Sequence, residues 1–277
     1  MTSTDFTQLP PVAFIGGGNM ASAIIGGLIR QGVPAARIQV VEPYEPQRAV
    51  LLQQFGITAL PAADASLATA QLVVWAVKPQ TFNDAATAVA EHTAHALHLS
   101  VAAGIRTSSI AGWLRNEHII RAMPNTPALV GMGTTALFAR EGVTPAQQAL
   151  AEQIIRTTGQ CIWVQQEQQL DAVTALSGSG PAYVFYFLEA MVQAGVDMGL
   201  SPEQAHQLAI GTFTGASQLA AQSSESPAVL RERVTSKGGT TYAALESMRG
   251  AQLGQHFITA MKAAEKRATE LGDEFGK

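Results

Sequence analysis

A chain of 277 residues is near the upper size for a single hydrophobic core and favours two domains. Only 14% of its residues are charged, against roughly 25% in an average globular domain, and the net charge is −4 with no basic run. That balance argues against a nucleic-acid partner, whose phosphates need a cationic face, and suggests that some surface is hidden between subunits. The one cysteine, Cys161, rules out an internal disulfide and fits a reducing compartment; in the apolar run Cys161-Ile162-Trp163-Val164 it is expected to be a buried, inert thiol.

The first eleven residues lack the basic and apolar regions of a signal peptide and read as a polar tail closed by Pro10-Pro11. No run of about 18 apolar residues is present to span a bilayer, so a soluble, cytoplasmic protein without membrane contact is expected. Val12 to Ile15 then predicts a short buried strand, and Gly16-Gly17-Gly18-Asn19-Met20-Ala21 a turn running straight into a helix with Ile24, Ile25 and Leu28 on one face. Three glycines weaken any regular element, so the turn must need positive φ or the close approach of something bulky. In the dinucleotide pattern G-x-G-x-x-G/A, Gly16 makes the tight turn, Gly18 admits the diphosphate and Ala21 lets helix pack on strand. The free N–H groups at the helix start supply the anion site.

Ile38 to Val41 reads as a second strand ending at Glu42. An acid there can accept from a ribose 2′-hydroxyl and favour NAD, or be a solvated strand end; Arg48, close by, could meet the 2′-phosphate of NADP, so both readings stay open. A helix over Gln47–Phe55, a short strand at Ile57–Ala59 and a helix near Ala63–Thr69 lead into Leu72 to Val77, a buried parallel-type strand. Ligands of open α/β sheets sit beyond the carboxyl ends of strands, which points to Ala76, Val77, Lys78 and Pro79 as cofactor contacts. Ser100-Val101-Ala102-Ala103-Gly104 repeats the pattern one unit later and adds Ala102 and Ala103. Ile119 to Met123 is a further strand, running into the proline-bracketed corner Pro124-Asn125-Thr126-Pro127, whose side chains could face a nicotinamide. His92, His95 and His98 sweep round a helix rather than stacking on one face, and no carboxylate or cysteine completes a ligand set, so a surface helix is expected there and no metal site.

Thr134–Ala139 and Cys161–Val164 read as strands around a helix from Pro145 to Thr157, after which strand signals stop. The expectation is therefore an α/β chain: a Rossmann-type doubly wound sheet over residues 1–165, then an all-helical domain over 166–277. Its helices are expected at Asp171–Leu176, Tyr183–Met198, Pro202–Gln222, Ala228–Val234 and Thr241–Leu271. The small residues of Gly211-Thr212-Phe213-Thr214-Gly215 would let helix backbones approach closely. Two stretches are too rich in Gly and Ser for ordinary helix, Leu176-Ser177-Gly178-Ser179-Gly180-Pro181-Ala182-Tyr183 and Val234-Thr235-Ser236-Lys237-Gly238-Gly239-Thr240-Thr241. The second again sets N–H groups and hydroxyls at a helix start, which suits a carboxylate, while simple capping by Thr240 or Thr241 is compatible with that use.

With these motifs the chain closely resembles pyrroline-5-carboxylate reductase along its whole length. The likeness rests on Phe14-Ile15-Gly16-x-Gly18-Asn19-Met20-Ala21, Ala76-Val77-Lys78-Pro79, Arg121-Ala122-Met123-Pro124-Asn125-Thr126-Pro127, Gly178 to Tyr183 and Ser236 to Thr241. The resemblance implies NAD(P)H-dependent reduction of 1-pyrroline-5-carboxylate to L-proline by hydride transfer to the cyclic C=N bond. It also implies a homodimer of interlocked helical domains, dimers that gather into rings as large as a decamer, and an active site completed by the partner subunit. Carried over residue by residue, Asn19 and Met20 join the cofactor contacts, Thr241 is placed at the ring nitrogen as the catalytic hydroxyl, and Ser236, Gly238, Gly239 and Thr240 surround the substrate carboxylate. The imine is most electrophilic when already protonated, so catalysis would be mainly positioning and electrostatics. Two departures stand out: Lys237 where many relatives have Pro, expected to point to solvent, and Glu42 where many have a small polar residue, so that NADH is expected to serve at least as well as NADPH. A 3-hydroxy acid dehydrogenase would want a lysine within Leu176–Gly199, where none exists, and a non-catalytic dinucleotide sensor would not need the Ser236–Thr241 stretch.

Overall fold

The computed structural model describes Phe6 and residues 9 to 275, so most of the expected polar tail lies outside the described residues. The chain divides into two compact units, one running to Ser179 and taking in the residues from Ala264 onward, the other Gly180–Ala263.

The first unit is built on seven strands: β1 (Val12–Ile15), β2 (Ile38–Val41), β3 (Leu72–Trp75), β4 (Leu97–Ser100), β5 (Ile119–Met123), β6 (Gly133–Ala139) and β7 (Gly159–Trp163). They form one sheet in the order β2-β1-β3-β4-β5-β6-β7, parallel except where β6 pairs antiparallel with β5. Side chains of a strand alternate between faces, and β1 shows it: Val12 and Phe14 join one core with Leu51, Val74 and Leu99, Ala13 and Ile15 the other with Trp75, Phe82 and Ile110. Both faces being covered, β1 and β3 are buried throughout, which is why they read as unbroken apolar runs. Helices α1 (Asn19–Arg30), α2 (Glu45–Phe55), α3 (Phe82–Val89), α4 (Thr107–Leu114) and α5 (Pro145–Ile155) accompany the strands. In α1 the residues Ala21, Ile24, Ile25 and Leu28 follow the i, i+3, i+4, i+7 spacing of a core-facing stripe and all are buried. Helix α5 opens on a capping box, with Thr144 and Gln147 bonded reciprocally and Pro145 in the first turn.

A short helix, α6 (Gln169–Val173), runs into a π-helical turn over Thr174–Gly178 and ends the first unit's main run. The second unit holds α7 (Gly180–Asp197), α8 (Pro202–Gln222), α9 (Pro227–Arg233), α10 (Thr240–Gly250) and the start of α11 (Leu253–Phe275). Ser201 and Gln204 form a capping box at α8, and α7 meets α8 so closely that a Cβ on Gly195 would lie 2.8 Å from the Ala205 Cβ. By contrast, nothing described lies within 4 Å of where a Cβ would stand on Gly211 or Gly215. Phe185, Tyr186, Leu208 and Leu219 are more than half exposed on this unit's helices.

Four details differ from the sequence reading. The strand expected at Ile57–Ala59 reduces to a single parallel bridge between Val41 and Leu60. The helix expected near Ala63–Thr69 is a 3-10 turn over Ala65–Thr69, capped by Asp64 on Ser66. Thr241–Leu271 is two helices, because Gln252 takes φ +53 and ends the first. His92, His95 and His98 share no helix: the first two lie in turns, and His98 is a buried residue of β4.

Candidate active site

The strand order 2-1-3-4-5 reverses between β1 and β3, and the crevice at such a switch point is where an open α/β sheet binds ligands. Backbone bonds carry the ladder one residue past each strand: Gly16 N–H to Val41 O at 2.8 Å, Ala76 N–H to Ile15 O at 2.8 Å, and Val101 N–H to Trp75 O at 3.0 Å. Gly16, Glu42, Ala76 and Val101 therefore stand side by side along one edge. Val77, Lys78 and Pro79 follow directly, with Lys78 exposed. Beyond β4, Ala102 is buried and donates its N–H to Ser100 Oγ, while Ala103 is exposed.

Gly16 has φ +92, and a Cβ on it would lie 2.7 Å from the Ala76 carbonyl oxygen, so only glycine fits. Gly17 is also enclosed, though by a side-chain end: its would-be Cβ falls 2.6 Å from Leu51 Cδ1. Gly18 is different, with nothing within 4 Å of that position. Gly18 also caps α1 without any side-chain bond, and no acidic residue stands in the first turn that Asn19 and Met20 begin. An open glycine, uncapped N–H groups and the positive end of a 12-residue helix together fit a dinucleotide diphosphate.

Glu42 is 9% exposed, and its two oxygens are divided between backbone donors, Oε2 accepting from Gly17 N–H at 2.8 Å and Oε1 from Tyr44 N–H at 2.9 Å. Gln47 Nε2 and Ser22 Oγ both donate to Gly17 O, at 2.6 and 3.3 Å. The carboxylate thus shapes the glycine turn as well as standing at the end of β2. Arg48 Nη1 donates to the Glu42 and Pro43 carbonyls, which fixes the guanidinium against the same loop. Glu42 and Arg48 are neighbours that brace one loop.

Below this edge Trp75 Nε1 donates to His98 Nδ1 at 3.1 Å, both side chains being buried. Burial, the larger influence, lowers the His98 pKa from 6.5 to about 4, so the ring is neutral and its proton sits on Nε2.

The corner after β5 is anchored by Asn125, whose Oδ1 accepts from Thr134 N–H at 2.9 Å and whose Nδ2 donates to Ser177 O at 3.1 Å. Behind it Arg121, 2% exposed, reaches Glu167 at 3.1 Å and lies 3.9 Å from Asp171. Asp171 also takes Arg106 and Thr269, and Glu167 takes the N–H and hydroxyl of Thr107. The sequence reading missed this buried network. Its signal was an arginine inside the apolar strand Ile119–Met123, since a buried guanidinium must be paired.

The second constellation lies wholly in the helical unit. Gly238 has φ +74, Gly239 N–H donates to Ser236 O at 3.0 Å, and Gly239 caps α10 without a side-chain bond. Ser236, Lys237 and Thr240 are exposed and Thr241 half-buried in the first turn of α10. The motif residues are thus gathered at one uncapped helix start, with backbone N–H groups free to meet an anion. Among the described residues, no group of three or more His, Cys, Asp or Glu is placed to hold a metal ion, and no helix is long and apolar enough to cross a membrane.

A family model described as "Pyrroline-5-carboxylate reductase dimerisation" matches residues 167–271, and one described as "NADP oxidoreductase coenzyme F420-dependent" matches residues 11–104. The chain is 43% identical to a pyrroline-5-carboxylate reductase of Pseudomonas aeruginosa over 97% of its own length and 99% of that protein's. Its fold matches the structure of a pyrroline-5-carboxylate reductase from Coxiella burnetii with a TM-score of 0.88 at 39% identity, covering 95% of this chain and 99% of that one. It also matches a Plasmodium falciparum pyrroline carboxylate reductase with NADP bound, at a TM-score of 0.84 and 25% identity over 95% and 98% of the two chains. Identity on this scale, spread over both halves, means that the chain belongs to the pyrroline-5-carboxylate reductase family, oxidoreductases that reduce 1-pyrroline-5-carboxylate to L-proline with NAD(P)H.

Proposed function

We propose that residues 1–165 bind the dinucleotide, that residues 166–277 bind substrate and dimerise, and that the residues named above divide the work of the reduction. The observation that carries this reading is the glycine turn: open at Gly18, closed at Gly16 and Gly17, and uncapped at the start of α1. The chemistry supplied by the reduced nicotinamide, when bound, is donation of a hydride to the carbon of the C=N bond. Gly16, Gly18, Asn19 and Met20 hold the diphosphate, and Ala76, Val77, Lys78, Pro79, Ala102 and Ala103 line the cleft beyond the strand ends. Ser236, Gly238, Gly239 and Thr240 surround the substrate carboxylate, with the N–H groups at the α10 start as donors, and Thr241 hydrogen-bonds the ring nitrogen. Because the acceptor arrives protonated, no side chain need deliver a proton, and the site works by orientation and by favouring the charge distribution of the transition state. Lys237, exposed, points to solvent.

The cofactor preference follows from Glu42. Its oxygens already accept two backbone N–H groups, but each keeps lone pairs for a ribose hydroxyl, and its charge disfavours a 2′-phosphate. NADH then serves at least as well as NADPH. Homodimers form through interlocked helical domains and assemble further, as far as a decamer, in the cytoplasm. The exposed apolar helix faces and the uncovered Gly211–Gly215 stripe support burial against a second chain. The test is oxidation of NADH and of NADPH, separately, with pyrroline-5-carboxylate as acceptor and a 3-oxo acid as control. Turnover with the imine alone is expected, and an NADPH preference of about tenfold or more, worth about 1.4 kcal/mol, would overturn the role given to Glu42.

A further inference from the structure

The Asn125 amide bridges three segments that are distant in sequence. It stands on the corner after β5, accepts from Thr134 at the start of β6, and donates to Ser177 in the π turn. Its orientation is fixed by chemistry, since Thr134 N–H can only donate and Ser177 O can only accept. The π turn receives side-chain bonds at several carbonyls. Ser179 N–H reaches back five residues to Thr174 O, and side chains add bonds to the carbonyls around it: Thr174 Oγ1 donates to Leu170 O at 2.7 Å, beside the backbone N–H that this carbonyl already accepts, and Ser177 Oγ to Val173 O at 3.1 Å. Asn125 supplies the partner for Ser177 O. The corner and the turn also touch through Met123, whose Cε lies 2.5 Å from where a Cβ on Gly178 would stand. Register places Arg121 opposite Ser100, so the corner rises beyond the carboxyl ends of β4 and β5, beside Ala102 and Ala103.

We infer that Asn125 is a positioning residue for hydride transfer: by tying the Pro124–Pro127 corner to the π turn it fixes the wall of the reaction cleft at the carboxyl ends of β4 and β5. The inference rests on the reductase reading above. Asn125 itself forms no bond to the reacting atoms; it sets where the corner stands.

Asn125→Asp keeps size and the acceptor for Thr134 N–H but sets a carboxylate oxygen against Ser177 O in place of a donor. A misplacement of about 1 Å can cost about 100-fold in rate, so kcat is expected to fall by about that factor at neutral pH. KM and the dinucleotide affinity, read by titration of the enzyme in the absence of substrate, should stay within about twofold of the parent's. The ionised carboxylate faces a carbonyl, which raises its pKa, and the protonated form regains a donor. The ratio of variant to parent kcat should therefore climb as pH is lowered, which a merely structural loss would not do. Protection of the Ser179 amide against hydrogen exchange, relative to the parent at the same pH, should fall in the variant at neutral pH and return in acid. Asn125→Ala, which removes both bonds and brings no charge, should lose kcat comparably with no recovery in acid, and it serves if Asn125→Asp does not fold. Retention of kcat within about twofold in either folded variant, or a loss in Asn125→Asp with no recovery in acid, overturns the inference. Absence of turnover in the parent with pyrroline-5-carboxylate would overturn the reductase reading and with it this role, leaving the exchange rates to report on the clamp alone.

Discussion

Two glycine turns carry the proposed chemistry, and they are finished to different degrees. The Gly16–Met20 turn is walled by its own unit: Ala76 backbone against Gly16, Leu51 against Gly17, Glu42 on the Gly17 N–H, with an opening only at Gly18. The Ser236–Thr241 turn stands in the open. Nothing described lies within 4 Å of a Cβ on Gly238, and the Cβ of Gly239 would meet only Ser236 of the same loop. The first shape is set by packing at Gly16 and Gly17, where a side chain would meet the unit's own atoms, and left open at Gly18. The second is constrained by backbone torsion at Gly238 and by contacts with Ser236 of its own loop until something else covers it.

Substitutions separate the two cases. The largest effect is expected from Gly16→Ala, where positive φ and a 2.7 Å clash with backbone combine; torsional strain of about 1–3 kcal/mol alone would show as a lowered Tm together with lost dinucleotide binding. Gly18→Ala should leave Tm unchanged while weakening dinucleotide affinity, because its methyl meets no protein atom. Equal loss of Tm in the two variants would erase the distinction between closed and open positions. In the exposed turn, Thr241→Ala should lower kcat/KM by about 10- to 100-fold, the worth of about 1.5–3 kcal/mol for a hydrogen bond to a charged group, with Tm unaffected. A loss well beyond that, toward the upper end of the 10²–10⁴ range of a dedicated general acid, would mean that the hydroxyl moves a proton.

A pH-dependent effect belongs to the enclosed side. His98 is held neutral, with its pKa lowered from 6.5 to about 4, so the unfolded chain binds more protons than the folded one between those values. Stability from this group is complete above pH 6.5 and falls as pH drops toward 4, by about 3 kcal/mol if the whole interval is crossed. Urea unfolding at a series of pH values should show a shallower acid slope for His98→Asn than for the parent. An unchanged slope would mean that the Trp75–His98 pair does not report on protonation.

Much of this architecture is written locally. The limits of β5, Ile119–Met123, and of α8, Pro202–Gln222, coincide with those expected from the apolar run and from the Ser-Pro start of the helix. What escaped was non-local. His98 alternates with Leu97, Leu99 and Val101, a strand signal that the spacing of His92, His95 and His98 masked, and its partner Trp75 is 23 residues away. Glu42 was legible as the acid at the end of β2, but not as the acceptor for Gly17, 25 positions earlier. Asn125 belonged to a motif whose residues could be named from the sequence, whereas its bonds to Thr134 and Ser177 exist only once three segments are brought together. The break at Gln252 was invisible because a glutamine with positive φ carries no compositional mark.

The bare apolar faces of α7 and α8, with Phe185, Tyr186, Leu208 and Leu219 turned outward, have a thermodynamic consequence. When such faces are covered by another copy, folding and assembly become one equilibrium, and resistance to heat is a property of the solution as much as of the chain. For a dimer each tenfold dilution removes about 1.4 kcal/mol of apparent stability, so a melting temperature measured at micromolar protein will overstate what survives at nanomolar assay concentrations.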